Sequence, residues 1–147
     1  MFVVDASVLL IAADRSDPNH DRCREQVLEW RRQPTPWYVT WPIVFEFLRI
    51  ATHPKVLRRP WPLAEGWAFI DAILASPALT VLCAGPHHQS IIQQLAESLP
   101  DLRGEQMHQA QIVSTMVEHG IRRIVTRDIE YHRFPMVEVI DPLRDTS

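Results

Sequence analysis

The sequence has two cysteines, one lysine, and no apolar run approaching the roughly 20 residues that span a bilayer. Cys23 and Cys83 lie far apart in apolar, periodic segments, so two buried free thiols in a reducing compartment are expected rather than a disulfide. Neither belongs to a cluster at zinc-ligand spacing, and the seven histidines are scattered as well. The N-terminus lacks a secretory pattern, because Asp5 interrupts it and no basic region precedes the apolar stretch. The expected location is therefore the cytoplasm, with no membrane partner. A net charge of -3 argues against a protein that binds nucleic acid by bulk attraction alone. Since Lys55 is the lone lysine, the other basic residues are all arginine, whose planar fork of donors suits phosphate and carboxylate. They gather at Arg31-Arg32, at Lys55/Arg58/Arg59 and at Arg122/Arg123/Arg127, and each group reads equally as a solvated surface. Acidic residues inside such a basic rim would suit an enzyme that holds a metal and grips RNA.

At 147 residues, 46% hydrophobic and 22% charged, the chain has the size and balance of one globular domain. A single domain over 1–147 is expected, with the last few residues frayed. Phe2-Val3-Val4 reads as a short buried strand and 8–13 as a first short helix. Asp17-Pro18 signals a helix start, and Cys23, Val27 and Trp30 recur at helical spacing up to Gln33-Pro34. Residues 37–41 are aromatic and β-branched, which suits a second strand. Pro42 then opens a helix that His53-Pro54 stops. Pro62 opens another, with Leu63, Trp67, Ile70 and Leu74 on one face. Residues 79–83 form a third strand, Pro86 opens a helix to about Leu99, and Arg103-Gly104 leads into one more that stops at Gly120. The fourth and fifth strands fall at 122–126 and 137–140. Strands alternating with helices throughout indicate an α/β fold, a parallel sheet covered on both faces.

In open parallel sheets, ligands bind beyond the carboxyl ends of the strands. Asp5 directly follows the first strand. Glu46 lies in the first turns of the helix after the second, and Asp128 stands just past the fourth, with Glu130 after it. Carboxylates gathered at one edge repel unless a hard cation neutralises them, and Mg²⁺ or Mn²⁺ suits oxygen ligands. Each residue also has a plainer reading. Asp5 would serve as N-cap of the following helix, Asp128 as a turn residue, and Glu46 as a surface partner of Arg49. Against the last, Ile43, Val44, Phe45, Phe47, Leu48 and Ile50 surround Glu46. Its helix therefore reads as apolar nearly all round and largely buried, where a carboxylate needs a partner. No Ser/His/Asp order or activated Cys suggests a covalent route, and Ser7 reads as a hydrogen-bond partner of an acid. The Trp-rich segment 61–67 reads equally as core or as an exposed groove for a partner helix.

Taken in order and spacing, four features resemble the PIN-domain family: Val3-Val4-Asp5-Ala6-Ser7-Val8, Glu46 on a post-strand helix, the stretch from Leu102 to Gly120, and Val125-Thr126-Arg127-Asp128-Ile129-Glu130. The closest likeness is to the VapC toxins of bacterial toxin–antitoxin systems. Arg133-Phe134-Pro135 and Val139-Ile140-Asp141-Pro142 look like the same subgroup, so the resemblance covers nearly the whole chain. It implies a three-layer α/β/α fold with a five-stranded parallel sheet. It further implies an Mg²⁺- or Mn²⁺-dependent endoribonuclease, a hydrolase checked by a VapB-like antitoxin and working as a homodimer. By position, Asp5, Glu46 and Asp128 fall on the family's catalytic and metal-holding acids. Ser7 and Thr126 fall on its small polar positions, and these two with Arg127 are the expected contacts on the substrate side. Glu130 replaces a more usual Asp.

One position departs from that pattern. Where such proteins carry a stretch resembling Gly-Asn-x-x-x-Asp-Ala, this chain has Gly104-Glu105-Gln106-Met107-His108-Gln109-Ala110. Gln109 can offer a metal its carbonyl oxygen but no charge, and it cannot act as a base. Two consequences are open. Glu105, four residues earlier on the same helix face, reaches the cluster as a replacement catalytic carboxylate. Alternatively Glu105 only favours the helix N-terminus, the site is impaired, and the chain acts by binding antitoxin or RNA. A haloacid-dehalogenase-like phosphotransferase also starts with an Asp after a first strand, but it places a second Asp where Ser7 stands.

Overall fold

Val3, Val4, Trp37, Val39 and Ile124 are at most 1% exposed, which marks strands covered on both faces. In the computed structural model, which describes residues 1–57 and 59–144, these residues form the centre of a five-stranded parallel sheet. Its strands are β1 (Phe2–Val4), β2 (Trp37–Thr40), β3 (Leu79–Leu82), β4 (Arg123–Val125) and β5 (Glu138–Ile140). The spatial order is β3-β2-β1-β4-β5, with every pairing parallel. Helices α1 (Ala6–Ala13) and α2 (His20–Arg32) join β1 to β2, and α3 (Trp41–Ala51) and α4 (Leu63–Leu74) join β2 to β3. Helices α5 (His88–Ser98) and α6 (Gln106–Glu118) return the chain to β4, and a 3-10 helix at Ile129–Arg133 precedes β5.

Winding runs outward from β1 to β3, then doubles back past β1 to β4. Right-handed crossovers therefore place α1 to α4 on one face of the sheet and α5 and α6 on the other. This is the expected three-layer α/β/α arrangement. The reversal falls between β1 and β4, where a crevice opens beyond the carboxyl ends of the strands.

Several local expectations are corrected. Asp17-Pro18 does not start α2: Asp17 accepts the Asn19 N–H at 2.8 Å in a turn, and the helix begins at His20. Trp41 belongs to α3 rather than to the strand, because Thr40 caps that helix by accepting the Ile43 N–H at 3.3 Å. Cys23 is buried but Cys83 is exposed, and both are free thiols. Helix α3 buries Ile43, Val44, Phe47 and Leu48 yet leaves Phe45 68% exposed, so it is not apolar interior all round. The Trp61 ring packs at 6.3 Å from Phe47 and 6.2 Å from Phe69, whereas Leu63 and Trp67 are exposed. Segment 61–67 is thus split between core and surface. Arg58 and the end expected to fray, residues 145–147, lie outside the described residues. Among the described residues no helix is long and apolar enough to cross a membrane.

Helix α6 ends as the sequence indicates, with Gly120 at φ +70 just past His119. Its last residue, Glu118, accepts the N–H of Gly85 at 2.7 Å and of His87 at 2.9 Å, tying α6 to the loop between β3 and α5. These bonds, Gly85's first, hold the Glu118 carboxyl below the usual glutamate range. A Cβ on Gly85 would sit 2.5 Å from Glu118 Oε2. Gly85→Ala is therefore expected to lower the thermal midpoint at pH 7 by expelling Glu118, and Glu118→Ala to lower it too. The double variant should be no less stable than Glu118→Ala alone, a non-additivity that circular dichroism melts can read. Because the folded pKa is depressed, Glu118 stabilises above the unfolded value of about 4.3 and ceases to as pH falls through the folded one. The gap between wild type and Glu118→Ala should accordingly narrow in acid; a gap that persists there refutes the charge-assisted bonds.

Candidate active site

Asp5 leaves β1 at the crevice and is 3% exposed. It occupies the N-cap position of α1, but its side chain makes no capping bond. The carboxylate turns instead to the neighbouring strand end. Its Oδ2 accepts the Thr126 hydroxyl at 2.7 Å and the Ser7 hydroxyl at 3.0 Å, and its Oδ1 accepts the Tyr131 phenol at 3.4 Å. Burial, the largest influence, pushes the Asp5 pKa up; the Thr126 bond opposes this, the charge of Glu46 adds to it, and Ser7 opposes it again.

Ser7 and Thr126 extend this net to the loop after β4. The Asp128 N–H donates to Thr126 Oγ1 at 2.9 Å and the Arg127 N–H to Ser7 Oγ at 3.0 Å. The Arg127 guanidinium is engaged at 2.6 Å with Asp141. Asp128 takes the turn role and also faces α6. Its Oδ1 accepts the Glu130 N–H at 2.9 Å and caps the 3-10 helix, while its Oδ2 accepts an N–H of the Gln109 amide at 2.8 Å. Glu130 pairs with Arg133 at 2.6 Å.

Glu46 has the partner its position demands, but that partner is His108 at 2.5 Å and not Arg49. Hydrogen-bonded to Glu46, His108 keeps its proton to higher pH than a free imidazole, even though burial pulls the other way. Gln109 is 8% exposed; with its N–H₂ directed at Asp128, its Oε1 is buried with no partner among the described residues. Glu105 is exposed at the N-cap position of α6, beside Gln109 on the rim of the cleft, and bonds to none of the acidic residues.

Two site residues escaped the sequence reading. His108 had a signal, since it stands three residues after Glu105 on the same helix face. Tyr131 had none, because it reaches Asp5 through a 3-10 turn with no periodicity to read. Its side chain is fully buried. Burial, then the charges of Asp5, Glu46 and Asp128, push the phenol pKa far up, so it stays a proton donor. Tyr131 bonds Asp5, while Gln109 bonds Asp128 and lines one cleft with Glu46. Among the described residues no three His, Cys, Asp or Glu side chains converge closely enough to hold a metal ion. The oxygens present are three carboxylates, that of Glu46 paired with His108, and the unpaired Gln109 Oε1, the donor type that Mg²⁺ or Mn²⁺ prefers.

The sequence pattern of the PIN domain matches residues 2–136. The chain is similar to ribonuclease VapC31 of Mycobacterium tuberculosis, at 31% identity over 142 residues that cover 97% of this chain and 99% of that protein. It is likewise similar to ribonuclease VapC33 of the same species, at 31% identity over 148 residues that cover 99% and 100%. Among solved structures, VapC20 of Mycobacterium tuberculosis, a sarcin-ricin loop cleaving toxin, shares the fold with a TM-score of 0.63 and 20% identity, covering 95% of this chain and 98% of that one. VapBC2 from Rickettsia felis, solved with a DNA fragment from its promoter, does so with a TM-score of 0.67 and 12% identity, covering 95% and 96%.

Gln109→Asp replaces the donor to Asp128 with a second negative charge. In EDTA this variant should be less stable than wild type by about 1–3 kcal/mol. Adding Mn²⁺ should raise its melting temperature more than that of wild type, because the new carboxylate favours the bound form. Equal Mn²⁺ shifts in the two proteins would show that position 109 does not face a cation.

Proposed function

The chain belongs to the PIN-domain family, and from that membership we propose that it is a VapC-like toxin, a metal-dependent endoribonuclease. In this reading it acts as a single domain in the cytoplasm, hydrolyses RNA phosphodiester bonds, and is restrained by a VapB-like antitoxin. The observation that carries the reading is the Asp5 carboxylate, nearly buried at the reversal point of the sheet with Glu46 and Asp128 in its neighbourhood. Keeping such charges together in a poorly hydrated crevice is unfavourable unless a cation joins them. Full-length relatives named ribonuclease VapC support the same activity.

Asp5 and Asp128 would hold the cation, with Glu46 nearby and Gln109 Oε1 as a neutral donor. When bound, Mg²⁺ or Mn²⁺ supplies neutralisation of the phosphate and an activated water. The protein's own groups do the positioning. Ser7, Thr126 and Tyr131 donate three hydrogen bonds that fix the Asp5 carboxylate. The bond from the Asp128 N–H to Thr126 couples the second acid to the first. Arg127, tied to Asp141, steadies that loop on the substrate side. For the antitoxin, a cavity of about 940 Å³ between the α1–α2 turn and α4 combines Trp61 and Phe69 with Arg15, Arg24 and Arg59. Such a lining suits a segment with apolar and acidic side chains. Homodimerisation belongs to the same reading.

One observation favours a second reading, an impaired domain that acts by binding. Gln109 pairs with Asp128 where a carboxylate is expected, and Glu105 stands off at the rim. Cleavage of folded RNA separates the two. Wild type should cut with Mn²⁺ and not in EDTA. Asp5→Asn should lose more than the roughly 10–100-fold expected for an outer partner, a loss that Thr126→Val should show. Wild type that binds RNA yet leaves it intact at high Mn²⁺ establishes the impaired domain instead.

A further inference from the structure

Helix α3 keeps one stripe bare. Trp41 is 41% and Phe45 68% exposed, and exposed Arg49 continues the line at the same spacing of four. The rings do not belong to a broad apolar face. They border a cleft of about 740 Å³ whose lining includes Glu46, Arg49, Glu105, His108 and Gln109, at the mouth of the candidate active site. Two rings among polar side chains fall well short of the roughly 800 Å² per partner that a stable protein interface buries. Arg49 forms no ion pair among the described residues, although its charge is felt at His108. An indole, a phenyl ring and an unpaired guanidinium aligned beside the acids offer flat faces to unpaired bases and a cation to the backbone between them.

We propose that Trp41 and Phe45 form a stacking platform for unpaired bases of single-stranded RNA beside the bond to be cut, with Arg49 on an adjoining phosphate. The proposal rests on the ribonuclease reading and adds a basis for substrate choice. Bases locked in a duplex cannot present their faces to the rings, so the platform selects single strands and open loops. Glu46 follows Phe45 in the helix, so substrate held by the stripe lies against the acid.

Binding of a fluorescein-labelled single-stranded oligoribonucleotide, followed by anisotropy in EDTA, tests this without cleavage. Trp41→Ala and Phe45→Ala should each weaken binding about tenfold, with the salt dependence unchanged and the thermal midpoint at the wild-type value. Trp41→Phe should bind nearly as wild type. Arg49→Ala should lower the salt slope by about one. An oligonucleotide with abasic positions should bind wild type as weakly as the intact one binds the alanine variants. Unchanged affinity in both alanine variants overturns the platform; if they also sediment as a smaller species than wild type, the stripe is a contact between copies of the chain. Wild type that cuts RNA while the variants bind unaltered overturns the platform alone. Wild type that neither binds nor cuts removes the ribonuclease reading and the platform with it.

Discussion

The hydrogen bond from Thr126 to Asp5 joins the ends of β1 and β4, and the site depends on it. These strands are adjacent in the sheet but separated by most of the chain, since the winding moves outward to β3 before it returns. Main-chain pairing continues past the strands, with the Asp5 N–H donating to Val125 at 3.0 Å and the Thr126 N–H to Ile140 at 2.9 Å. The side-chain bond therefore closes a framework that is already registered. A carboxylate on a free loop would choose water over a hydroxyl. Held at a buried strand end, Asp5 bonds to Ser7, Thr126 and Tyr131, and its orientation follows.

The charge carried by this crevice differs from that of a four-acid site. Gln109 contributes an amide, and Glu46 is paired with His108. The unpaired negative charges are then those of Asp5 and Asp128, each stabilised by neutral donors. Less mutual repulsion favours the cation-free fold. The same neutralisation lowers the electrostatic gain when a cation enters. On the metal-dependent reading, such a site would tolerate being empty better and grip a cation less tightly, through the amide at position 109 and the His108 partner of Glu46.

Most of the architecture was legible because short strands and proline-marked helices repeat with clear periods. The acids at positions 5, 46 and 128 were legible because strand ends in a parallel sheet point the same way. What could not be read were contacts that depend on which atoms meet. Gln109 was read only for the carbonyl oxygen it could offer a metal, whereas its N–H₂ also meets Asp128, since a carboxylate needs a donor. Glu46 was expected in a dry setting or beside Arg49, whereas α6 approaches α3 closely enough to offer His108. Tyr131 required knowledge of a 3-10 turn that leaves no pattern in the sequence.

The composition of α3 misled for a related reason. Six aliphatic or aromatic residues flank Glu46 closely, and counting them suggests a helix immersed in the core. A helix packed against a sheet on one side has only a stripe of positions facing inward. Ile43, Val44, Phe47, Leu48 and Ala51 fill that stripe. Trp41 and Phe45 fall outside that stripe, Phe45 largely and Trp41 partly exposed, and at the mouth of the acidic cleft their rings present flat faces that a substrate with flat faces would match.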